Sequence, residues 1–186
     1  MELVLVKKEV NMIILIGPSA SGKTELAKYL VNNYNYNKVI TYTTREKRIN
    51  EVDGKDYHFL TKQNFENLIK NDFFLETTFY NNNYYGTSKS SIKDNGLIIL
   101  DPKGYNNFKK LIKINYLSIY LEASEETRLK RMLERKDKLE DALKRIDNDK
   151  LIFKPQELKV DYILNTENKT IEELAYFVDN LKKDPQ

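Results

Sequence analysis

Residues 12–24 read MIILIGPSASGKT, and this stretch decides the fold. The run Met12–Ile16 is apolar, contains β-branched residues and stops at a glycine and a proline, which predicts a short buried strand. A helical pattern follows over Thr24–Asn33. Between the two lies a complete G-x-x-x-x-G-K-[ST] pattern, formed by Gly17, Pro18, Ser19, Ala20, Ser21, Gly22, Lys23 and Thr24.

A loop of this kind between a strand and a helix binds phosphate. Its backbone N–H groups converge on one anion, and the helix N-terminus adds partial positive charge. Lys23 can reach the β- and γ-phosphates, and the Thr24 hydroxyl can bind Mg²⁺. A GTP switch is disfavoured, because the nearest candidate for its Asn-Lys-x-Asp motif, at residues 168–171, lacks the aspartate.

The rest of the chain alternates between strand and helix patterns, which predicts an α/β fold with a parallel sheet flanked by helices. We expect one domain over residues 1–186, with its core in residues 1–40, 92–130 and 150–186. Residues 41–91 are polar, aromatic and strand-rich, which indicates an inserted subdomain. Residues 131–145 are dense in charge and are either a solvated helix face or a mobile lid. Further strands are predicted at residues 39–40, 57–60, 73–80, 84–86, 97–100, 116–121 and 162–164, with helices around 65–69, 125–149 and 171–181.

Composition excludes several kinds of chemistry. The 186 residues contain no cysteine and one histidine, His58, so thiol catalysis and multi-histidine metal sites are excluded. Basic and acidic residues number 31 and 28, too balanced to indicate a nucleic-acid partner. The start of the chain lacks the features of a signal peptide, and no apolar run is long enough to span a membrane. We therefore expect a soluble, cytoplasmic protein with no membrane partner, as a monomer or homodimer.

Arg45 and Arg48 follow the second predicted strand and form a candidate second anion site. Paired arginines suit a dianionic monophosphate, because each guanidinium presents parallel donors. The spacing is equally compatible with a solvated basic loop. Asp101, which ends an apolar strand and precedes Pro102, is likewise open to two interpretations. It is either a water-mediated Mg²⁺ ligand or the N-cap of a helix.

Three motifs together resemble the guanylate kinase family. Residues 43–59 contain T-T-R-x-x-R-x-x-E-x-x-G-x-x-Y-x-F, the phosphate loop is close to the family's form, and Phe74-Leu75-Glu76 is followed by residues 83–87, NYYGT. The resemblance implies a P-loop NTPase-type fold with a GMP-binding insertion at 41–91 and a helical lid at 131–149. It also implies Mg²⁺-dependent transfer of a phosphoryl group from ATP to GMP or dGMP.

The resemblance also implies roles by position. The GMP phosphate would be held by Arg45, Arg48, Tyr57 and Tyr85, with Thr41 nearby, and guanine would be read by Glu76 and Thr87. Guanine suits a carboxylate, because its N1–H and N2–H₂ are adjacent donors. The catalytic residues would be Lys23, Arg45, Arg131, Arg135 and Arg145. We expect no catalytic role for His58, packing for Tyr84, and an adenine contact at Asn165.

One segment departs from the family pattern. After the strand the family usually has an acid, an aspartate two residues later and then Gln-Gly, whereas this chain has Asp101-Pro102-Lys103-Gly104. This departure keeps open an enzyme of the same fold with relaxed or shifted base preference. A non-catalytic guanylate kinase-like binding module is a further alternative, although such modules typically lack the intact Lys23 and Thr24.

Overall fold

The computed structural model describes residues 10–183, so most of the N-terminal segment 1–11, for which the sequence indicated no role, lies outside the described residues. Within them no helix has the length and apolar character needed to cross a membrane. The strands are β1 Met12–Ile16, β2 Asn37–Lys38, β3 Tyr42–Thr43, β4 His58–Phe59, β5 Phe74–Tyr80, β6 Asn83–Ser88, β7 Gly96–Ile99, β8 Tyr116–Glu122 and β9 Tyr162–Asn165. The helices are α1 Lys23–Tyr34, α2 Lys62–Lys70, α3 Pro102–Leu111, α4 Glu125–Glu134, α5 Leu139–Ile152, α6 Pro155–Leu158 and α7 Ile171–Lys183.

The main sheet has the order β2-β7-β1-β8-β9, and every pairing in it is parallel. β1 lies at its centre and is completely buried, with Ile13 and Leu15 packing toward α1 and α7. Met12, Ile14 and Ile16 point to the other face, where they meet aromatic side chains of α3. Such apolar burial on both faces is typical of a parallel sheet covered by helices. The predicted α/β class is therefore confirmed, and the phosphate loop leaves the sheet at its central strand.

A second sheet, in the order β4-β3-β6-β5, is formed entirely by residues of the predicted insertion. β5 and β6 form a hairpin in which Asn81 and Asn82 both have positive φ, 47° and 60°. Two such residues are the hallmark of a tight two-residue turn, and asparagine tolerates this conformation well. The strands predicted at residues 73–80 and 84–86 left a turn of three residues, Asn81 to Asn83, which is one residue too long because Asn83 already pairs with Tyr80.

Other boundaries also differ from the prediction. The strand expected at residues 39–40 lies at Asn37–Lys38, and the strand expected at 57–60 is limited to His58–Phe59. Helix α3 was not predicted, although Asp101 and Pro102 form a common start signal. The Asp101 carboxylate accepts a hydrogen bond from Gly104 N–H at 2.8 Å, and Pro102 occupies the first turn. The N-cap interpretation of Asp101 is therefore confirmed.

The charged helix predicted over Glu125–Asp149 is two helices, α4 and α5. The chain reverses after Arg135, where Lys136 adopts a positive φ of 66°. The two helices pack through the buried side chains of Met132, Ala142 and Ile146, and Ala20 of the phosphate loop contacts the same cluster. Residues 131–145 are therefore more than a solvated helix face, since their apolar side chains contact the loop.

Candidate functional site

A cleft of about 680 Å³ lies between the phosphate loop, the second sheet, α3 and α4. It brings together residues that are more than a hundred positions apart in the chain. Among the residues predicted for the site, the cleft is lined by Gly17, Ser19, Ala20, Gly22, Lys23, Thr24, Thr41, Arg45, Arg48, Tyr57, Glu76, Tyr85, Asp101, Arg131 and Arg135. Pro18, Ser21, Thr87 and Arg145 do not line it, although each contacts or acts electrostatically on residues that do.

The phosphate loop is held close to the end of β8. A Cβ atom on Gly17 would lie 2.3 Å from the carbonyl oxygen of Leu121, so no larger residue fits there. Lys23 folds back over the loop, and its Nζ donates to the Pro18 carbonyl at 2.7 Å and to Ser21 Oγ at 3.3 Å. Burial lowers the pKa of Lys23 to about 7, while the nearby Asp149 carboxylate opposes that change. An anion bound in the loop would therefore restore the charged form of Lys23.

Glu51 orients the two arginines of the candidate second anion site. Its carboxylate accepts two hydrogen bonds from Arg45, at 2.7 and 2.9 Å, and one from the Arg48 backbone N–H at 2.9 Å. The Arg45 guanidinium also lies 5.5 Å from the centre of the Tyr57 ring, where a cation is attracted to the aromatic face. Glu51 belongs to the quoted motif but was assigned no role; the structure shows that it orients both arginines.

The arginines of α4 and α5 approach the same region. Burial lowers the pKa of Arg48 to about 10, and the positive charges of Arg45, Arg135 and Arg145 add to that effect. Arg135 and Arg145 share the Asp137 carboxylate, at 2.6 and 3.2 Å. Arg131 instead donates to the Ala20 carbonyl at 3.2 Å and to Thr166. This arrangement concentrates positive charge that a polyphosphate can neutralise.

A buried carboxylate lies on the opposite side of the cleft. Glu76 and Thr87 are cross-strand partners in the β5–β6 hairpin, and Thr87 Oγ1 donates to Glu76 Oε1 at 2.6 Å. Burial raises the pKa of Glu76 to about 7, and the Asp101 carboxylate adds to the rise. A Cβ atom on Gly104 would lie 3.4 Å from Glu76 Oε2 and 3.6 Å from Asp101 Oδ1, so Gly104 lies next to both acids.

Asp101 makes its hydrogen bonds on the same side of the cleft as Glu76. One carboxylate oxygen caps α3 and the other accepts a hydrogen bond from Thr78 of β5. The positions of Glu76 and Asp101 in the sequence did not indicate that their carboxylates are neighbours, because this proximity depends on how α3 packs against β5. In residues 10–183 no group of three or more acidic or histidine side chains could hold a metal ion. Thr24, in the first turn of α1, lines the cleft, and one hydroxyl suits a Mg²⁺ ion that takes most of its ligands from phosphates and water.

Three further predictions can be compared with the structure. Tyr84 packs on Phe65 and Phe79, with ring centres 5.3 and 5.0 Å apart, so the packing interpretation is confirmed. His58 stacks on Tyr42 within the second sheet at 4.5 Å. Asn165 is exposed and accepts from Glu167 N–H, whereas the neighbouring Thr166 lines the cleft.

Two buried residues that sequence reasoning missed, Arg128 and Asp149, contact the phosphate loop. Asp149 accepts a hydrogen bond from the Ser19 backbone N–H at 2.8 Å, and Arg128 donates to the Ser19 carbonyl at 2.8 Å. The Tyr80 hydroxyl, at the end of β5, also donates to Asp149. Both residues lie in the highly charged segment 125–149. Its sequence gives no local sign of these contacts, because they depend on how the helices fold over the loop.

Comparisons with known proteins agree with this geometry. The family model described as "Guanylate kinase" matches residues 9–181. The guanylate kinase of Mycoplasma genitalium is 34% identical over 180 residues, covering 91% of this chain and 75% of that protein. The guanylate kinase of Aster yellows witches'-broom phytoplasma is 42% identical over 123 residues, covering 65% of this chain and 52% of that protein. The crystal structure of guanylate kinase from Anaplasma phagocytophilum has a TM-score of 0.69 at 27% identity and covers 96% of this chain and 88% of that one.

Proposed function

Because the chain belongs to the guanylate kinase family, we propose that it transfers the γ-phosphoryl group of ATP to GMP with Mg²⁺, forming ADP and GDP. The observation that carries this proposal is the buried Glu76–Thr87 pair, which lies across one cleft from the phosphate loop. The cleft thus offers a base-reading group, a second anion site and a triphosphate loop. We propose that dGMP also serves, because none of these contacts requires a ribose 2′-hydroxyl.

Guanine fits the Glu76 side of the cleft. An ionised Glu76 accepts from N1–H and N2–H₂ of the base, and the Thr87 hydroxyl holds one of its oxygens in place. Adenine has no N1–H, so it would leave a buried acceptor unpaired, at a cost of about 1–3 kcal/mol. Asp101 lies beside this pair, and we assign it to the base subsite rather than to the metal.

The GMP phosphate fits the Arg45–Arg48 site. Glu51 holds the two arginines, and Tyr57, Tyr85 and Thr41 complete the wall of the cleft around them. The acceptor oxygen of GMP is ionised at neutral pH, so the reaction needs no general base. Catalysis then consists of in-line positioning and neutralisation of the transferred group.

The ATP phosphates fit the loop at residues 17–24. Lys23 would contact the β- and γ-phosphates, and the Thr24 hydroxyl would hold Mg²⁺, which supplies charge neutralisation when bound. Arg131, Arg135 and Arg145 would stabilise the transferred group from α4 and α5. We propose that residues 41–91 and 131–149 close over both nucleotides as parts of one domain, which excludes water as a competing acceptor. The expected cytoplasmic location and oligomeric state stay predictions.

A coupled assay over GMP, dGMP, AMP, CMP and UMP tests the proposal. We expect turnover of GMP and dGMP only, because the other bases do not offer paired donors to Glu76. No turnover on any of the five would favour the non-catalytic binding module. Equal turnover of GMP and AMP would favour the enzyme with relaxed base preference.

The affinity for GMP should fall in mildly acidic solution. The pKa of Glu76 in the free protein is raised to about 7, and only the ionised form accepts both guanine donors. One pH unit below that pKa, about a tenth of the protein is ionised, so KM for GMP should rise about tenfold between pH 8 and pH 6. Glu76→Gln should retain only the smaller dependence that comes from the GMP phosphate, whose second pKa is about 6. Identical pH profiles for both proteins would contradict the assignment of Glu76.

A further inference from the structure

Arg128 and Asp149 hold both backbone groups of one residue in the phosphate loop. Asp149 accepts from the Ser19 N–H and Arg128 Nε donates to the Ser19 carbonyl, each at 2.8 Å. The Arg128 guanidinium also donates to the Asp149 carboxylate. Their side chains are only 6% and 0% exposed. We call this pair the Ser19 clamp.

The two helices that carry the clamp also have apolar contacts of their own. α4 and α5 already contact each other through Met132, Ala142 and Ile146, which form an apolar cluster. A buried ion pair is a poor source of stability, because desolvation of both charges offsets their attraction. The contacts of the clamp with Ser19 indicate instead that it holds the loop in one conformation.

Ala20, the next residue, gives a physical reason for such a constraint. Its φ is 60°, in the left-handed region, where a Cβ atom is unfavourable and glycine is preferred. The penalty for an alanine corresponds to a factor of roughly 5–30 against this conformer. Ser19 is held by the clamp and the Ala20 carbonyl by Arg131, so the strained residue is constrained on both sides.

We propose that Arg128 and Asp149 are positioning residues that keep Ser19 and Ala20 in the conformation that binds the ATP phosphates. This inference rests on the proposed ATP-dependent function and assigns to its triphosphate site two residues that contact the loop from outside it. The negative charge of Asp149 also favours the charged form of Lys23. The clamp therefore supports both the backbone and the cationic side chain of the loop.

The double substitution Arg128→Met with Asp149→Leu tests the proposal, because removal of both charges leaves no unpaired ion in the interior. ATP affinity is measured by calorimetry without GMP, together with KM for ATP and for GMP and the thermal unfolding midpoint. We expect ATP affinity to fall roughly 5–30-fold while KM for GMP stays unchanged. Asp147→Asn is the matched control, since Asp147 lies on the same helix and its side chain is 75% exposed.

Ala20→Gly separates a positioning role from a merely structural one. Glycine removes the backbone strain, so it should restore most of the ATP affinity in the double variant. Unchanged ATP affinity in a folded double variant, or no recovery with Ala20→Gly, would overturn the proposal. Tighter ATP binding would also overturn it, because Asp149 would then act as an anion that competes with phosphate.

Arg128→Lys provides a milder variant if the double variant does not fold. It keeps a positive charge beside Asp149 but lacks the guanidinium that donates to both Asp149 and the Ser19 carbonyl, and we expect a loss of ATP affinity that Ala20→Gly reverses. If this variant also fails to fold, the clamp is required for the fold and the positioning proposal is wrong. Calorimetry needs no turnover, so a protein that binds ATP without phosphorylating GMP would refute the proposed function and still decide this inference.

Discussion

Lys23→Ala is expected to lower kcat by about a thousandfold or more. The proposed reaction uses no general base, so its rate depends on groups that neutralise charge on the transferred phosphoryl group. Loss of one well-placed donor to such a transition state typically lowers kcat by about 10²–10³-fold, and Lys23 also carries a full charge. Because Lys23 lies in the loop and GMP is assigned to the opposite side of the cleft, GMP binding should stay measurable.

The fold should tolerate this substitution. Burial already lowers the pKa of Lys23 to about 7 in the free protein, so the native state gains little from the ammonium group. The unfolding midpoint of Lys23→Ala should therefore match that of the unsubstituted protein. Lys70→Ala, at an exposed position of α2, is the control for removing a lysine elsewhere. A Lys23→Ala rate within a few-fold of normal would show that the phosphate loop is misassigned.

Glu76→Gln is expected to lower kcat/KM for GMP by roughly a hundredfold, because hydrogen bonds to charged groups contribute about 1.5–3 kcal/mol each. The amide retains one acceptor oxygen but places an NH₂ group against a guanine donor. The value of kcat/KM for AMP should change little, so the preference for GMP over AMP should largely disappear. Steady-state kinetics with both nucleotides measures the two effects together.

Glu66→Gln is the matched control for this experiment. Glu66 is exposed on α2, so the same chemical change there should leave both rates unchanged. If Glu76→Gln lowers kcat/KM equally for GMP and AMP, the substitution has damaged the hairpin rather than the recognition of the base. Retention of the full preference for GMP would contradict the role of Glu76.

Local patterns predicted much of the fold and part of the site. The phosphate loop is contiguous, so eight residues that follow an apolar strand carry both the turn geometry and the chemistry. The hairpin that carries Glu76 was readable because its two strands are adjacent in the chain. Helix α3 was not predicted from the sequence, because its only start signal is the short Asp101-Pro102 N-cap in a polar segment. The break after Arg135 was also not predicted, because that break depends on a single left-handed residue, Lys136.

By itself, the sequence determined the class of fold, the position of the phosphate-loop motif and the family, because these depend on residue type and short spacing. Tertiary structure decided where Asp101 points, how Glu51 orients two arginines, and that Arg128 and Asp149 hold Ser19. Asp149 lies 130 positions from Ser19, and no local pattern connects them. Hydrogen bonds act over about 3 Å in space irrespective of separation along the chain, so only the packed helices and sheets bring such partners together.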